Sequence, residues 1–197
     1  MKIGAMNNPS RDVLQEIERI AENGFDFIDL TLEPSRAYYD CIDACSIKKA
    51  ARNAGLDVIG HTAFFMPIAS SVPRLRECAL SEIERTLQVF SEMEVSKVTV
   101  HPQWKIPLHD AEWVRQANIE SFARLAQKAS SLGLKLLFEN VAGAWSRAGF
   151  FDAYFRCYSI ARVSFGYRAR KPGWPCKPHT GAFAEPRAHS GTRPRIR

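Results

Sequence analysis

Along the first 139 residues, short runs of aliphatic side chains alternate with longer stretches in which apolar residues recur every three or four positions. A period of two marks a strand and a period near 3.6 an amphipathic helix, so the alternation predicts β/α units around a parallel sheet. Five strands are predicted: Lys2 to Met6, Phe27 to Leu32, Asp57 to His61, Lys97 to His101 and Leu134 to Glu139. Between the first two, Asn8 to Ser10 offer capping side chains, Val13, Leu14, Ile17 and Ile20 keep helical spacing, and Gly24 ends the helix. Ile42 to Ala54 forms the second helix, closed by Gly55. Pro73 opens a third that runs to about Glu94, with Leu75, Ala79, Ile83, Leu87 and Phe90 on one face. The fourth spans about Asp110 to Leu132 and stops at Gly133.

Repeated β/α units build either an open doubly wound sheet or an eight-stranded barrel. The turn after the first strand, Gly4-Ala5-Met6-Asn7-Asn8, lacks the glycine fingerprint of a dinucleotide fold, and no phosphate-binding P-loop occurs in the chain. The expected fold is therefore α/β, a partial (β/α)8 TIM barrel of about five units over residues 1–145. A whole barrel needs typically about 250 residues. The remaining stretch, 146–197, is expected to be an irregular, disordered basic tail without strands six to eight. From Ser164 onward it is poor in aliphatic residues and holds Pro172, Pro175, Pro178, Pro186 and Pro194, so it buries too little apolar surface to offset its ordering entropy. An unclosed barrel exposes the edges of strands one and five, and self-association through them is expected.

Composition is ordinary for a soluble globular protein, with 46% hydrophobic and 24% charged residues. No run approaches the roughly 18 apolar residues of a membrane span, and the N-terminus lacks the plan of a secretory signal, which predicts a cytoplasmic protein without a membrane partner. Cys41, Cys45, Cys78, Cys157 and Cys176 are odd in number and lack paired C-x-x-C spacing, so free thiols are expected. The net charge of +6 is unevenly spread. The tail holds 11 of the 27 basic residues and two acids, Asp152 and Glu185, which leaves the predicted barrel slightly negative. A negative barrel face disfavours nucleic acid, and the tail arginines show neither helical periodicity nor regular aromatic interleaving.

In α/β barrels reactive groups stand at the carboxyl ends of strands, where the loops enclose one shared pocket. Strand three ends at His61, strand four at His101 and strand five at Glu139. Imidazole and carboxylate together suit zinc, manganese or iron, and a carboxylate can also activate water. Taken alone, each histidine reads more simply as a hydrogen-bonded strand end. Glu139 follows the apolar run Leu134 to Phe138, where a carboxylate requires a metal or a basic partner. Glu33 ends strand two and either faces the pocket or sits in solvent before Pro34. Trp104 stacks on a sugar or caps the barrel, and His109 is expected at the surface. Tyr38-Tyr39 and Phe64-Phe65-Met66 lie in loops where aromatics line a pocket or pack on one another.

Gly60-His61-Thr62-Ala63, Val100-His101-Pro102 and Phe138-Glu139-Asn140-Val141-Ala142-Gly143 resemble the strand-three, strand-four and strand-five motifs of the xylose-isomerase-like barrel superfamily. That group includes sugar phosphate isomerases and epimerases, and endonuclease IV. The resemblance covers residues 1 to about 145 and does not choose between branches. It implies that Glu139 is a metal ligand in either branch. His61 and His101 would bind metal in the nuclease-like branch and hold substrate or metal in the isomerase-like one. It further implies a divalent ion (Zn, Mn, Mg or Fe), a small sugar or sugar phosphate as substrate, and Glu33, Trp104 and Asn140 around that substrate. Two alternatives stand beside an isomerase or epimerase: an endonuclease IV-like hydrolase of abasic DNA, and an inactive barrel fragment that catalyses nothing.

The codons of Gly166-Tyr167-Arg168-Ala169-Arg170-Lys171-Pro172, read one nucleotide later, permit Asp-Ile-Gly-His-Ala-Asn-Leu, which resembles the family's sixth-strand Asp-x-x-His motif. Those of Thr192 to Arg197 likewise permit His-Val-His-Val-Ser and a codon that can begin Asp, which resembles the seventh strand. A truncated, frameshifted barrel gene, with the frame lost between about Gly143 and Gly166, is the expectation.

Overall fold

The computed structural model describes residues 2–103, 105–139 and the backbone of 161–163. Its elements run β1 (Gly4–Met6), α1 (Val13–Glu22), β2 (Phe27–Leu32), α2 (Ala44–Asn53), β3 (Asp57–Thr62), α3 (Pro73–Glu92), β4 (Lys97–Val100), α4 (Ala111–Ser131), β5 (Lys135–Glu139) and β6 (Ala161–Val163). The strands form one sheet in sequential order, and every adjacent pair is parallel. A doubly wound sheet reverses its strand order at a switch point, and this sheet does not, so the architecture is a partial (β/α)8 barrel.

The sixth strand corrects one expectation. Ala161–Val163 lies in the stretch expected to be irregular, yet it pairs in parallel with β5 from Leu137↔Ala161 to Glu139↔Val163. Three residues are too short a run for alternation between apolar and polar positions to be recognised as a strand. The rest of the tail, with Cys157 and Cys176, lies outside the described residues.

Helix boundaries follow local chemistry. Asp12 caps α1 by accepting the backbone N–H groups of Leu14 and Gln15. The cap therefore lies later than Asn8 to Ser10, where Asn8 accepts the Ser10 N–H in a local turn. Asp43 and Asp110 cap α2 and α4 in the same way. After α1 and α2 the chain turns through Gly24 and Gly55 at φ 74° and 70°, the left-handed region that favours glycine. On α3 the buried stripe comprises Ala79, Leu80, Ile83, Leu87 and Phe90. Leu75, expected on that face, lies in the first turn of α3 and is 54% exposed.

The core fills the layer between sheet and helices. From β2, Ile28, Leu30 and Leu32 are wholly buried there against Ile17, Ile20, Ile47 and Ile83 of the same cluster. Period-two alternation turns Asp29 and Thr31 to the opposite, inner face. Thr31, His61 and Thr99 stand in register across β2, β3 and β4 on that face. Gly60, next to His61, faces the helix layer, where a Cβ would lie 2.9 Å from the Phe90 ring, so glycine lets α3 press close against β3. Among the described residues, no helix is long and apolar enough to cross a membrane.

Candidate metal and substrate site

Parallel strands bring their carboxyl ends to one side of the sheet, and three of the expected residues meet there. His61 Nε2 lies 2.6 Å from His101 Nε2 and 3.4 Å from Glu139 Oε2, and His101 Nε2 lies 3.0 Å from the same oxygen. Both imidazoles are buried and stack with ring centroids 4.8 Å apart. Glu139 is partly buried at the end of β5. Two nitrogens and one oxygen thus face a common point.

The polar inventory fits a cation at that point. Glu139 Oε2 is buried and makes no hydrogen bond despite two nitrogens within 3.4 Å, and His101 Nδ1 is likewise buried without a partner among the described residues. Buried polar atoms normally find partners, and an orphaned carboxylate oxygen between two imidazoles is what a metal ion would satisfy. The donor set matches zinc, manganese or iron. A tetrahedral ion with Zn–N bonds of about 2.0–2.1 Å holds its donors about 3.4 Å apart, so the group needs only sub-ångström spreading.

The electrostatics of the two rings diverge. Burial alone would depress His61, but the hydrogen bond to Asp29, the close approach of Glu139 and the negative charge of both carry it up to about 9. For His101 burial dominates, the Glu139 charge offsets only part of it, the positive His61 adds to it, and the group falls to about 4. Burial raises Glu139, yet the close approach of His61 and the charge of both imidazoles outweigh it and hold the carboxyl below its usual value.

Asp29 was missed by sequence reasoning. Its two carboxylate oxygens lie 3.2 and 3.1 Å from His61 Nδ1, and the residue is 6% exposed. A signal was available, because Phe27-Ile28-Asp29-Leu30-Thr31-Leu32 places one acid on the inner face of a strand that is otherwise uncharged and mostly apolar.

Glu33 directly follows β2 and is partly buried, and among the described residues no hydrogen bond or ion pair joins it to the three. Trp104 and Asn140 lie outside the described residues. Phe64 packs edge-on against His101 at 4.2 Å and against Phe65 at 4.5 Å, while Phe65 is 78% exposed beside the mouth. Tyr38 and Tyr39 pack on each other at 4.4 Å, and both hydroxyls donate to Glu82 Oε2 at 2.6 Å, so they brace the loop after β2 against α3. His109 is exposed, as expected, and its Nδ1 donates to the Pro107 carbonyl. Cys41, Cys45 and Cys78 are free and exposed.

Solved structures with this architecture include a D-tagatose 3-epimerase-like protein, with 21% identity and a TM-score of 0.65 over 73% of this chain and 54% of that one. The E. coli 3-keto-D-glucoside 4-epimerase YcjR is similar at 19% identity and a TM-score of 0.67, over 83% of this chain and 67% of that one. A D-psicose 3-epimerase matches at 18% identity and a TM-score of 0.66, over 83% and 62%. The chain thus spans from about half to two thirds of these relatives' own length. No curated protein sequence matches it. The family model described as xylose isomerase-like TIM barrel matches residues 17–159, and the chain belongs to that family.

Proposed function

We propose that this chain carries one side of the site of a metal-dependent sugar isomerase or epimerase, with His61, His101 and Glu139 holding a single divalent ion. The observation that carries the reading is the buried convergence of two imidazole nitrogens and one unsatisfied carboxylate oxygen. A bound divalent ion would polarise an adjacent carbonyl and hydroxyl pair of a sugar. Mixed nitrogen and oxygen donors favour Zn, Mn or Fe over Mg. The named activities of the structural relatives, epimerases acting on tagatose, psicose and ribulose, support a small sugar as substrate.

The chain's own residues would divide the work. His61 and His101 are held by burial and stacking, which limits their motion around an ion. Glu33, directly after β2, would accept from sugar hydroxyls, with Trp104 and Asn140 as further substrate contacts. The Phe64–Phe65 pair offers an apolar wall beside His101, excluding water and seating the apolar face of a sugar ring.

The test is incubation with Mn²⁺ and a panel of ketoses and ketose phosphates in D₂O, followed by proton NMR. Exchange of a carbon-bound proton next to the carbonyl is expected for at least one sugar, and no exchange with metal bound would contradict the proposal. Cleavage of an abasic duplex in a parallel arm would favour the nuclease-like branch instead.

A further inference from the structure

Asp29 is an acid inside the barrel without an evident structural need. It lies on β2 with Ile59 as its register neighbour on β3, one inward-facing step below the layer that contains Thr31 and His61. Placing a carboxylate there is costly unless it is paired. Among the described residues its hydrogen-bond partner is a single atom, His61 Nδ1, which both oxygens approach within 3.2 Å.

That contact has one chemical consequence. An ionised carboxylate only accepts, so His61 Nδ1 must carry a proton to complete the bond. A neutral imidazole protonated at Nδ1 has its lone pair on Nε2, and His61 Nε2 is the atom that faces His101 and Glu139. The ring cannot turn over without burying an unpaired carboxylate. Thr31, two residues along the same strand and on the same face, also holds a buried polar atom, Oγ1, but that atom has no hydrogen-bond partner. The arrangement is therefore specific to position 29 and is not a general feature of a polar barrel interior.

We infer that Asp29 is a positioning residue: by holding the Nδ1 proton of His61, it fixes the ring's tautomer and orientation and presents Nε2 to the ion shared with His101 and Glu139. The inference rests on the metal-binding reading above. Carboxylates behind ligating histidines commonly act in this way, and their loss costs about 10- to 100-fold in metal affinity.

The test compares zinc binding by calorimetry in the full chain, Asp29→Asn and Thr31→Val, with circular dichroism as the check on folding. The nearly isosteric Asp29→Asn should still bind one ion, about 10- to 100-fold more weakly, because an amide can donate as well as accept and no longer dictates the tautomer. Thr31→Val should bind as the unaltered chain does. Equal affinity in Asp29→Asn and the unaltered chain would overturn the inference, as would an equal loss in Thr31→Val. A second measurement is independent of metal and of that variant. ¹⁵N-resolved NMR of the metal-free, unaltered chain should show a slowly exchanging His61 Nδ1 proton, whether the ring is neutral or cationic. Its absence overturns the inference even if Asp29→Asn does not fold. If that proton is present while the unaltered chain binds no zinc, the metal-binding reading falls and the hold of Asp29 on His61 stands.

Discussion

Asn118, wholly buried on α4, grips both backbone groups of Gln103: its Oδ1 accepts the Gln103 N–H at 3.0 Å and its Nδ2 donates to the Gln103 carbonyl at 2.9 Å. A further bond from Nδ2 to the Val114 carbonyl completes the amide's role. Gln103 in turn accepts the Ala69 N–H through Oε1, and Ser121 Oγ donates to the Ile68 carbonyl. The segment after His101 and the loop that carries Phe64 are thus tied to one helix. Replacing Asn118 by Leu strands the partly buried backbone groups of Gln103 beside a buried helix face, and destabilisation by about 2 kcal/mol is expected. The urea midpoint measures it, and an unchanged midpoint would show that the loops are held by other means.

Gly60 supports the site from the opposite face of β3. Gly60→Ala would place a methyl 2.9 Å from the Phe90 ring, and overpacking of that kind costs about 1–3 kcal/mol. The displaced strand carries His61, so zinc affinity should drop along with stability. Gly60→Ala combined with Phe90→Leu should recover part of both, as measured by unfolding and calorimetry. No recovery would place the defect elsewhere than in this contact.

Glu16 predicts a pH dependence away from the site. Its buried side chain accepts two bonds from Arg19, at 3.0 and 2.8 Å, and the Asn8 N–H at 2.8 Å. The Arg19 hydrogen bonds are the largest influence. Burial opposes them, and the Asn8 bond and nearby arginine charges assist, so the carboxyl lies below its usual value of 4.5. A depressed folded-state value means stabilisation that is present above 4.5 and lost as pH falls through the folded value. Glu16→Gln should therefore be less stable than the unaltered chain at pH 7, with the gap narrowing below pH 4.5. Urea midpoints across that range would contradict the account if the gap stayed constant.

The reading frame of the tail is testable without protein. Sequencing of the coding DNA is expected to spell Asp-Ile-Gly-His-Ala-Asn-Leu one nucleotide later across codons 166–172. That peptide begins three codons after the end of β6 at Val163 and resembles the family's sixth-strand Asp-x-x-His motif. Codons that spell another peptide in that frame would remove the frameshift reading.

Much of this fold was legible because the strong signals are local. Period-two and period-3.6 runs marked five strands and four helices to within a few residues, and each strand-end candidate was visible as a lone His or Glu after an apolar run. What escaped notice depends on contacts distant in sequence. Asp29 has meaning only once β2 lies beside β3, 32 residues on. Leu75 kept helical spacing but is exposed in the first turn of α3, and β6 is too short to show a period. The aromatic pairs were ambiguous for the same reason, since whether Tyr38 and Tyr39 face a pocket is settled by Glu82 on α3.

The central claim is that His61, His101 and Glu139 form one metal site, and calorimetric titration of the full chain with zinc tests it most directly. Saturable binding of one ion per chain is predicted, abolished in His101→Ala and in Glu139→Gln while circular dichroism stays unchanged. Absence of saturable binding in the unaltered chain, or binding in either variant as tight as in the unaltered chain, would contradict the account.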